Sequence, residues 1–235
     1  MATSERIKID RKTLRDPDEF QILSGQATAW VRANQTLVAV VAGALAALAL
    51  LGVGLGWYRG RQAAAAAVRF DGAHAELAAG RYAEAAEGFA GLGRDYAATP
   101  FGRLAGLYRG HALANQGDAA GAATAYAGYL EGSPGTDYLR QEALVGLGRA
   151  REASGDAAAA RDAFARAAEV PGPFRTEARL GMARLAEAAG ENDAAREIYT
   201  ALLAEAPPGT PLRALLESKA PAATTATTAV PGTPR

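Results

Sequence analysis

Four glycines divide the middle of the 235-residue chain, Gly80, Gly117, Gly155 and Gly190, at intervals of 37, 38 and 35 residues. Each stands nine residues before an aromatic: Phe89, Tyr126, Phe164 and Tyr199. Each also precedes by five an alanine (Ala85, Ala122, Ala160, Ala195) and follows by seven a small residue (Ala73, Gly110, Gly148, Ala183). A unit of this length is one supersecondary element that cannot bury its apolar face alone, so units must stack. Alanine dominates the apolar residues and aromatics are only 7%, which favours helices packed through small side chains over sheets. The pattern predicts two helices per unit. The glycine ends helix A by adopting a left-handed conformation. The two small positions let helices A and B approach, and the aromatic fills the space between neighbouring units. Pro100, Pro134, Pro171 and Pro207 stop helix B.

These features resemble the tetratricopeptide repeat over about Val68 to Pro208. The period runs longer than the usual 34 residues or so, and the bulky side chain early in helix A is replaced by Leu144 in the third unit and Arg179 in the fourth. The repeats are therefore degenerate. "GTPLRALLESK" supplies Thr210 as a cap, Pro211 in the first turn, then Leu212, Leu215 and Leu216, the pattern of a helix closing the last repeat. The fold class expected is all-α: an α-solenoid of about four degenerate tetratricopeptide repeats.

Upstream lies a run from Thr36 to Tyr58 without one charged residue, 23 residues long. As a helix it is roughly 34 Å long, against a hydrocarbon core of about 30 Å. Trp57 and Tyr58 close it, followed by Arg59 and Arg61, aromatic and basic anchors of the kind found at headgroup level. A buried core helix and a cleaved export signal are the competing readings, the latter with Ala63–Ala67 as a small-residue cleavage stretch. The run is too long, and starts too late, for an ordinary signal peptide. The favoured reading is one transmembrane helix acting as an uncleaved signal-anchor. Orientation stays open on charge. The whole N-terminal tail carries Arg6, Lys8, Arg11, Lys12, Arg15 and Arg32, but close to the span Arg32 alone faces Arg59, Arg61 and Arg69.

The expected organisation is an N-terminal tail over residues 1–35, a transmembrane helix over 36–58, the repeat domain with its closing helix over 59–219, and a disordered Ala/Thr/Pro tail over 220–235. The first tail holds an amphipathic helix start at Asp16 and Pro17, with Phe20, Leu23, Ala27, Trp30 and Val31 at helical spacing. It suits either the membrane surface or a partner. In the span, Ala42, Ala46, Ala49, Gly52 and Gly56 share nearly one face, which permits close packing and a homodimer through the transmembrane helix.

Chemistry is sparse. Lys+Arg and Asp+Glu balance at 25 each, which leaves no electrostatic footprint for nucleic acid. There is no cysteine, which removes disulfides and thiolate chemistry. No catalytic constellation, cofactor motif or metal-ligand spacing emerges. One pattern is left. Six residues before the four glycines stand His74, His111, Arg149 and Arg184; three before them stand Leu77, Ala114, Glu152 and Glu187. These helix A positions line the inner face in such repeats. Either they form a peptide groove, or Arg149–Glu152 and Arg184–Glu187 are intrahelical pairs on a wet surface.

The order of segments is similar to that of the YfgM-like family of bacterial inner-membrane proteins, ancillary subunits of the Sec translocon. The likeness rests on "NQTLVAVVAG", "GWYR" and "LLESK" and covers roughly Asn34 to Lys219. It implies a cytoplasmic N-terminus, a periplasmic repeat domain and partners among the translocon, periplasmic chaperones and exported polypeptides. The long first tail and the Ala/Thr/Pro tail depart from that family's compact pattern. A different envelope-assembly or cell-division partner, or a cytoplasm-facing adaptor, are the alternatives.

Overall fold

The computed structural model describes Gln26, residues 28–132 and residues 137–220. The helix start at Asp16, Phe20, Leu23, Ala27, Pro134 and the tail beyond Ala220 lie outside the described residues. The chain forms two compact units, Met1–Gly60 and Arg61–Arg235.

The first unit is dominated by helix α1, which runs Gln35–Ala78 and passes into the second unit. Its most apolar 18-residue window has a mean hydropathy of 2.5, and none of that window is buried. Leu50 is 74% exposed and Val53 71%. The reading of this run as a core helix is therefore overturned, because among the described residues nothing covers its leucines. A Cβ built on Gly52 or Gly56 would meet nothing within 4 Å, and Ala42, Ala46 and Ala49 are exposed as well.

The second unit stacks helices α2 (Tyr82–Asp95), α3 (Pro100–Gln116), α4 (Ala119–Gly132), α5 (Asp137–Ala153), α6 (Ala157–Glu169), α7 (Arg175–Ala188), α8 (Asn192–Glu205) and α9 (Pro211–Lys219) behind the end of α1. Among the described residues there is no strand. The end of α1 joins the stack through Phe70, whose ring meets Phe89 of α2 edge-on at 5.6 Å. From α2 onward each helix packs on the next. In addition α3 touches α5 and α5 touches α7, while no two of α4, α6 and α8 are in contact. The A helices therefore converge on an inner, concave side and the B helices fan out on the other. The second unit is an α-solenoid.

The four glycines all have positive φ, from 76° to 90°. At each, the glycine N–H donates to the carbonyl three residues back, and the next N–H to the carbonyl five residues before it, as in Gly117 to Ala114 at 3.1 Å and Asp118 to Leu113 at 2.9 Å. This doubly bonded ending satisfies carbonyls that the helix leaves bare. In the second and third units an aspartate follows and caps helix B: Gly121 N–H donates to Asp118 Oδ1 at 2.8 Å, and Ala159 N–H to Asp156 Oδ1 at 3.1 Å.

The aromatics fill the joints. Phe89, Tyr126, Phe164 and Tyr199 are all buried, and Ala85, Ala122, Ala160 and Ala195 with them. The Tyr126 ring lies so close to Gly110 and Gly146 that a Cβ on either would come within 2.5–2.6 Å of it; Gly148 and Gly181 hold Phe164 in the same way at 2.7 Å. Gly146 and Gly181 stand in register with Tyr108 of the second unit. That register corrects the expected substitution by Leu144 and Arg179. Leu144 is core, and Arg179 pairs with Glu205 at 2.8 Å. Pro100 also departs from expectation. It opens α3, capped by Thr99 Oγ1, which accepts from Gly102 N–H at 3.0 Å. Proline suits this position because the first helical N–H needs no partner.

Candidate peptide-binding groove

The four residues six before the repeat glycines occur on the inner helices, and their neighbours differ from one end to the other. His74, on α1, stacks on Phe70 with ring centres 6.1 Å apart and meets Tyr108 edge-on at 5.9 Å. Tyr108 touches His111 at 5.7 Å, and His111 touches Tyr126 at 5.5 Å. Leu77 packs, partly buried, on the same core. The first half of the inner face is thus a continuous aromatic row.

The second half is ionic, and its pairs cross from unit to unit. Arg149 on α5 meets Glu177 on α7 at 2.5 Å. Arg184 on α7 reaches back to Glu152 on α5 at 2.8 Å. Lys219 on the closing helix holds Glu187 at 3.0 Å. The expected intrahelical pairs Arg149–Glu152 and Arg184–Glu187 are replaced by these, because the A helices approach closely enough for a long side chain to reach the neighbouring unit. Tyr199 O–H also donates to Glu187, at 3.1 Å. Lys219 pulls the Glu187 carboxyl below its ordinary range, while burial and then Glu187 push the Tyr199 phenol up to about 12.

Between the halves, α3, α4, α5 and α7 enclose a groove of about 380 Å³ lined by His111, Ala114, Tyr126, Glu142, Arg149, Phe174 and Glu177 among others. His111 Nε2 lies 3.2 Å from Glu142 Oε1, and its Nδ1 lies 3.0 Å from the Tyr126 hydroxyl. Burial, then the Glu142 carboxylate, push the Tyr126 phenol well above its ordinary value, and the same two causes raise Tyr108. Both hydroxyls stay protonated at neutral pH. The floor beside the groove is fixed by Gln141, which is 0% exposed. Its Nε2 donates to Ala167 and Val170 carbonyls at 3.0 and 2.7 Å, and its Oε1 accepts from Phe174 N–H at 3.1 Å. It ties the loop between α6 and α7 to α5.

Sequence reasoning brought His111 and Arg149 to this groove but missed Glu142, Glu177 and Gln141. The two glutamates were discoverable: each stands thirteen residues before a repeat glycine. Among the described residues no three His, Cys, Asp or Glu side chains are grouped to hold a metal.

The tetratricopeptide repeat family matches residues 153–218, from the end of α5 into the closing helix. Solved structures superpose on 65% of the chain. One holds the nearly identical TPR-like repeats of a candidate kinesin light chain from Podosopora anserina, with a TM-score of 0.55 and 17% identity, over 65% of this chain and 82% of that one. The fold is a tetratricopeptide-type solenoid. A singly substituted form of the same fungal repeats superposes equally well, with a TM-score of 0.56 and 17% identity over the same shares. No curated protein matches this chain. In this tetratricopeptide-type solenoid the groove occupies the inner face, bounded by helices of the second, third and fourth units.

Proposed function

We propose that the chain is a non-enzymatic, membrane-anchored scaffold that holds a segment of a partner protein in the groove between α3, α5 and α7. The observation that carries this is the groove itself: about 380 Å³ on the inner face, with apolar walls and a few converging polar groups, the make-up of a recognition site. His111 and Arg149 line it, and His74, Leu77, Glu152, Arg184 and Glu187 would extend the same inner face beyond it. Arg149 and Arg184 meet a partner's carboxylate only by exchanging Glu177 and Glu152.

The exposed apolar helix within Gln35–Ala78 supports anchoring in a membrane, and the resemblance to the YfgM-like family supports the bacterial inner membrane. Its face of Ala42, Ala46, Ala49, Gly52 and Gly56 is the surface through which two copies would pair. The resemblance to the YfgM-like family supports a periplasmic repeat domain that receives exported polypeptides from the Sec translocon or its chaperones. The second reading, a cytoplasm-facing adaptor, draws on Arg59, Arg61 and Arg69 beside the span.

Three measurements on the full-length protein in cells test this. A photo-crosslinker at Ala114, inside the groove, should capture a partner that one at Glu197 on the outer helix α8 does not; equal capture at both removes the groove. Alkaline carbonate should leave the intact chain in the membrane pellet, and its release would remove the anchor. A reporter fused after Lys219 should be active only in the periplasm; activity confined to the cytoplasm selects the adaptor.

A further inference from the structure

The groove's charges are unequally matched, and the mismatch identifies what enters it. Arg149 and Glu177 neutralise each other at 2.5 Å. Among the described residues Glu142 pairs with His111, at 3.2 Å, and an imidazole, unlike the Arg149 guanidinium, is not a permanent cation. Tyr126 fixes the arrangement. Its hydroxyl lies 3.0 Å from His111 Nδ1. A neutral imidazole that donates to the Glu142 carboxylate does so from Nε2, which leaves Nδ1 to accept from the phenol. In that form the groove holds two carboxylates against one permanent cation.

The surroundings leave this excess uncancelled. On α3 the neighbour is Tyr108, on α4 Tyr126, and on α1 His74, which packs against Tyr108. On α5 stand Glu142, Arg149 and Tyr138, and on α7 Glu177 and Arg184, the last already held by Glu152 at 2.8 Å. The Glu142 charge is felt at both the Tyr108 and Tyr126 phenols, which it helps keep protonated. Electron-rich rings beside a carboxylate favour a cation twice over, through the ring faces and through the charge.

Resting on the groove reading above, we infer that the groove takes a lysine or arginine side chain of an extended partner segment, and that Glu142 receives it. An acidic segment would meet Glu142 and Glu177 and could use Arg149 only by breaking its pair. His111 competes with the guest.

The test uses the full-length protein in lipid nanodiscs and a phage-displayed library of random decapeptides, panned at about pH 7.5. The selected peptides should share a lysine or arginine. Replacing that arginine by citrulline in a synthetic peptide should weaken binding about tenfold or more, as loss of a charge-assisted bond does. Glu142→Gln should do the same to the parent peptide and nothing further to the citrulline form. Far-UV circular dichroism checks that each variant is folded, and the peptide substitution reads the same contact without altering the protein. Selection of acidic or uncharged peptides that Ala114→Trp excludes overturns the inference and leaves the groove standing. If no peptide is selected, or Ala114→Trp leaves binding intact, the groove reading falls and the inference with it.

Discussion

Arg184 on α7 grips Glu152 on α5 with two hydrogen bonds, Nη2 to Oε2 at 2.8 Å and Nε to Oε1 at 3.3 Å, across the joint between the third and fourth units. Both side chains are partly exposed, so the pair is screened and contributes about 0.5–1 kcal/mol. A double-mutant cycle on Arg184→Ala and Glu152→Ala should recover that coupling in thermal or urea unfolding. The cycle on Arg149→Ala and Glu152→Ala, three residues apart on one helix, should show none. Coupling in the second cycle and not the first would restore the intrahelical pairing.

The Phe164 ring is wedged between Gly148 and Gly181. Gly148→Ala or Gly181→Ala drives a methyl group into a fully buried ring that cannot retreat, and overpacking of this kind costs about 1–3 kcal/mol. That outweighs the gain in helix propensity, at most about 1 kcal/mol. Gly128→Ala, where a Cβ meets nothing within 4 Å, should instead leave stability unchanged or raise it. Melting temperatures of the three variants check the contrast in sign.

Gln141→Leu removes three hydrogen bonds that hold the α6–α7 loop. It leaves the Ala167 and Val170 carbonyls and the Phe174 N–H without their partner. The loss should be about 3 kcal/mol, because each unmet buried polar group costs about 1–3 and the loop can relax toward water. Denaturant midpoints measure it. Faster amide exchange at Phe174 should accompany it.

How much of this could be read beforehand follows from what each feature depends on. The glycine endings and the buried aromatics were legible because they are local: a left-handed turn needs glycine, and its spacing from Phe89 or Tyr126 is set within one unit. Glu142 and Glu177 were not found because their roles depend on side chains in another unit, and Gln141 because it binds backbone groups 26 to 33 residues away. Their own positions look like any solvated helix face. The arginines were found, but their partners were assigned within the helix, where spacing alone favours Glu152 and Glu187. The distance between A helices, which hands each arginine to the neighbouring unit, is set by Gly146 and Gly181 lying against rings. No single-helix pattern contains that distance.

Alkali should unfold the protein earlier than its arginines and lysines would suggest. Tyr199 titrates near about 12 in the folded state and Tyr126 is raised as well, against about 10 in an unfolded chain. The folded state therefore keeps protons that the unfolded chain gives up. Stability is full below about pH 10 and declines as pH climbs toward 12. Unfolding midpoints across that range should fall, and Tyr199→Phe should flatten the decline. A midpoint independent of pH up to 12 would contradict the buried phenols.

The place held by Tyr108 in the second unit and by glycine in the third and fourth carries a consequence for the order of the units along the chain. Phe89 is met by the Tyr108 ring, 5.5 Å from centre to centre, whereas Tyr126 and Phe164 are met by bare backbone at Gly146 and Gly181. The units are therefore not interchangeable beads. Transposing the second and third would set a glycine opposite Phe89, opening a void, and drive a tyrosine ring against its new neighbour. The string of repeats has a built-in sequence of keys and locks, so a duplicated or shuffled unit fits only where its glycine or its tyrosine meets the ring it was matched to.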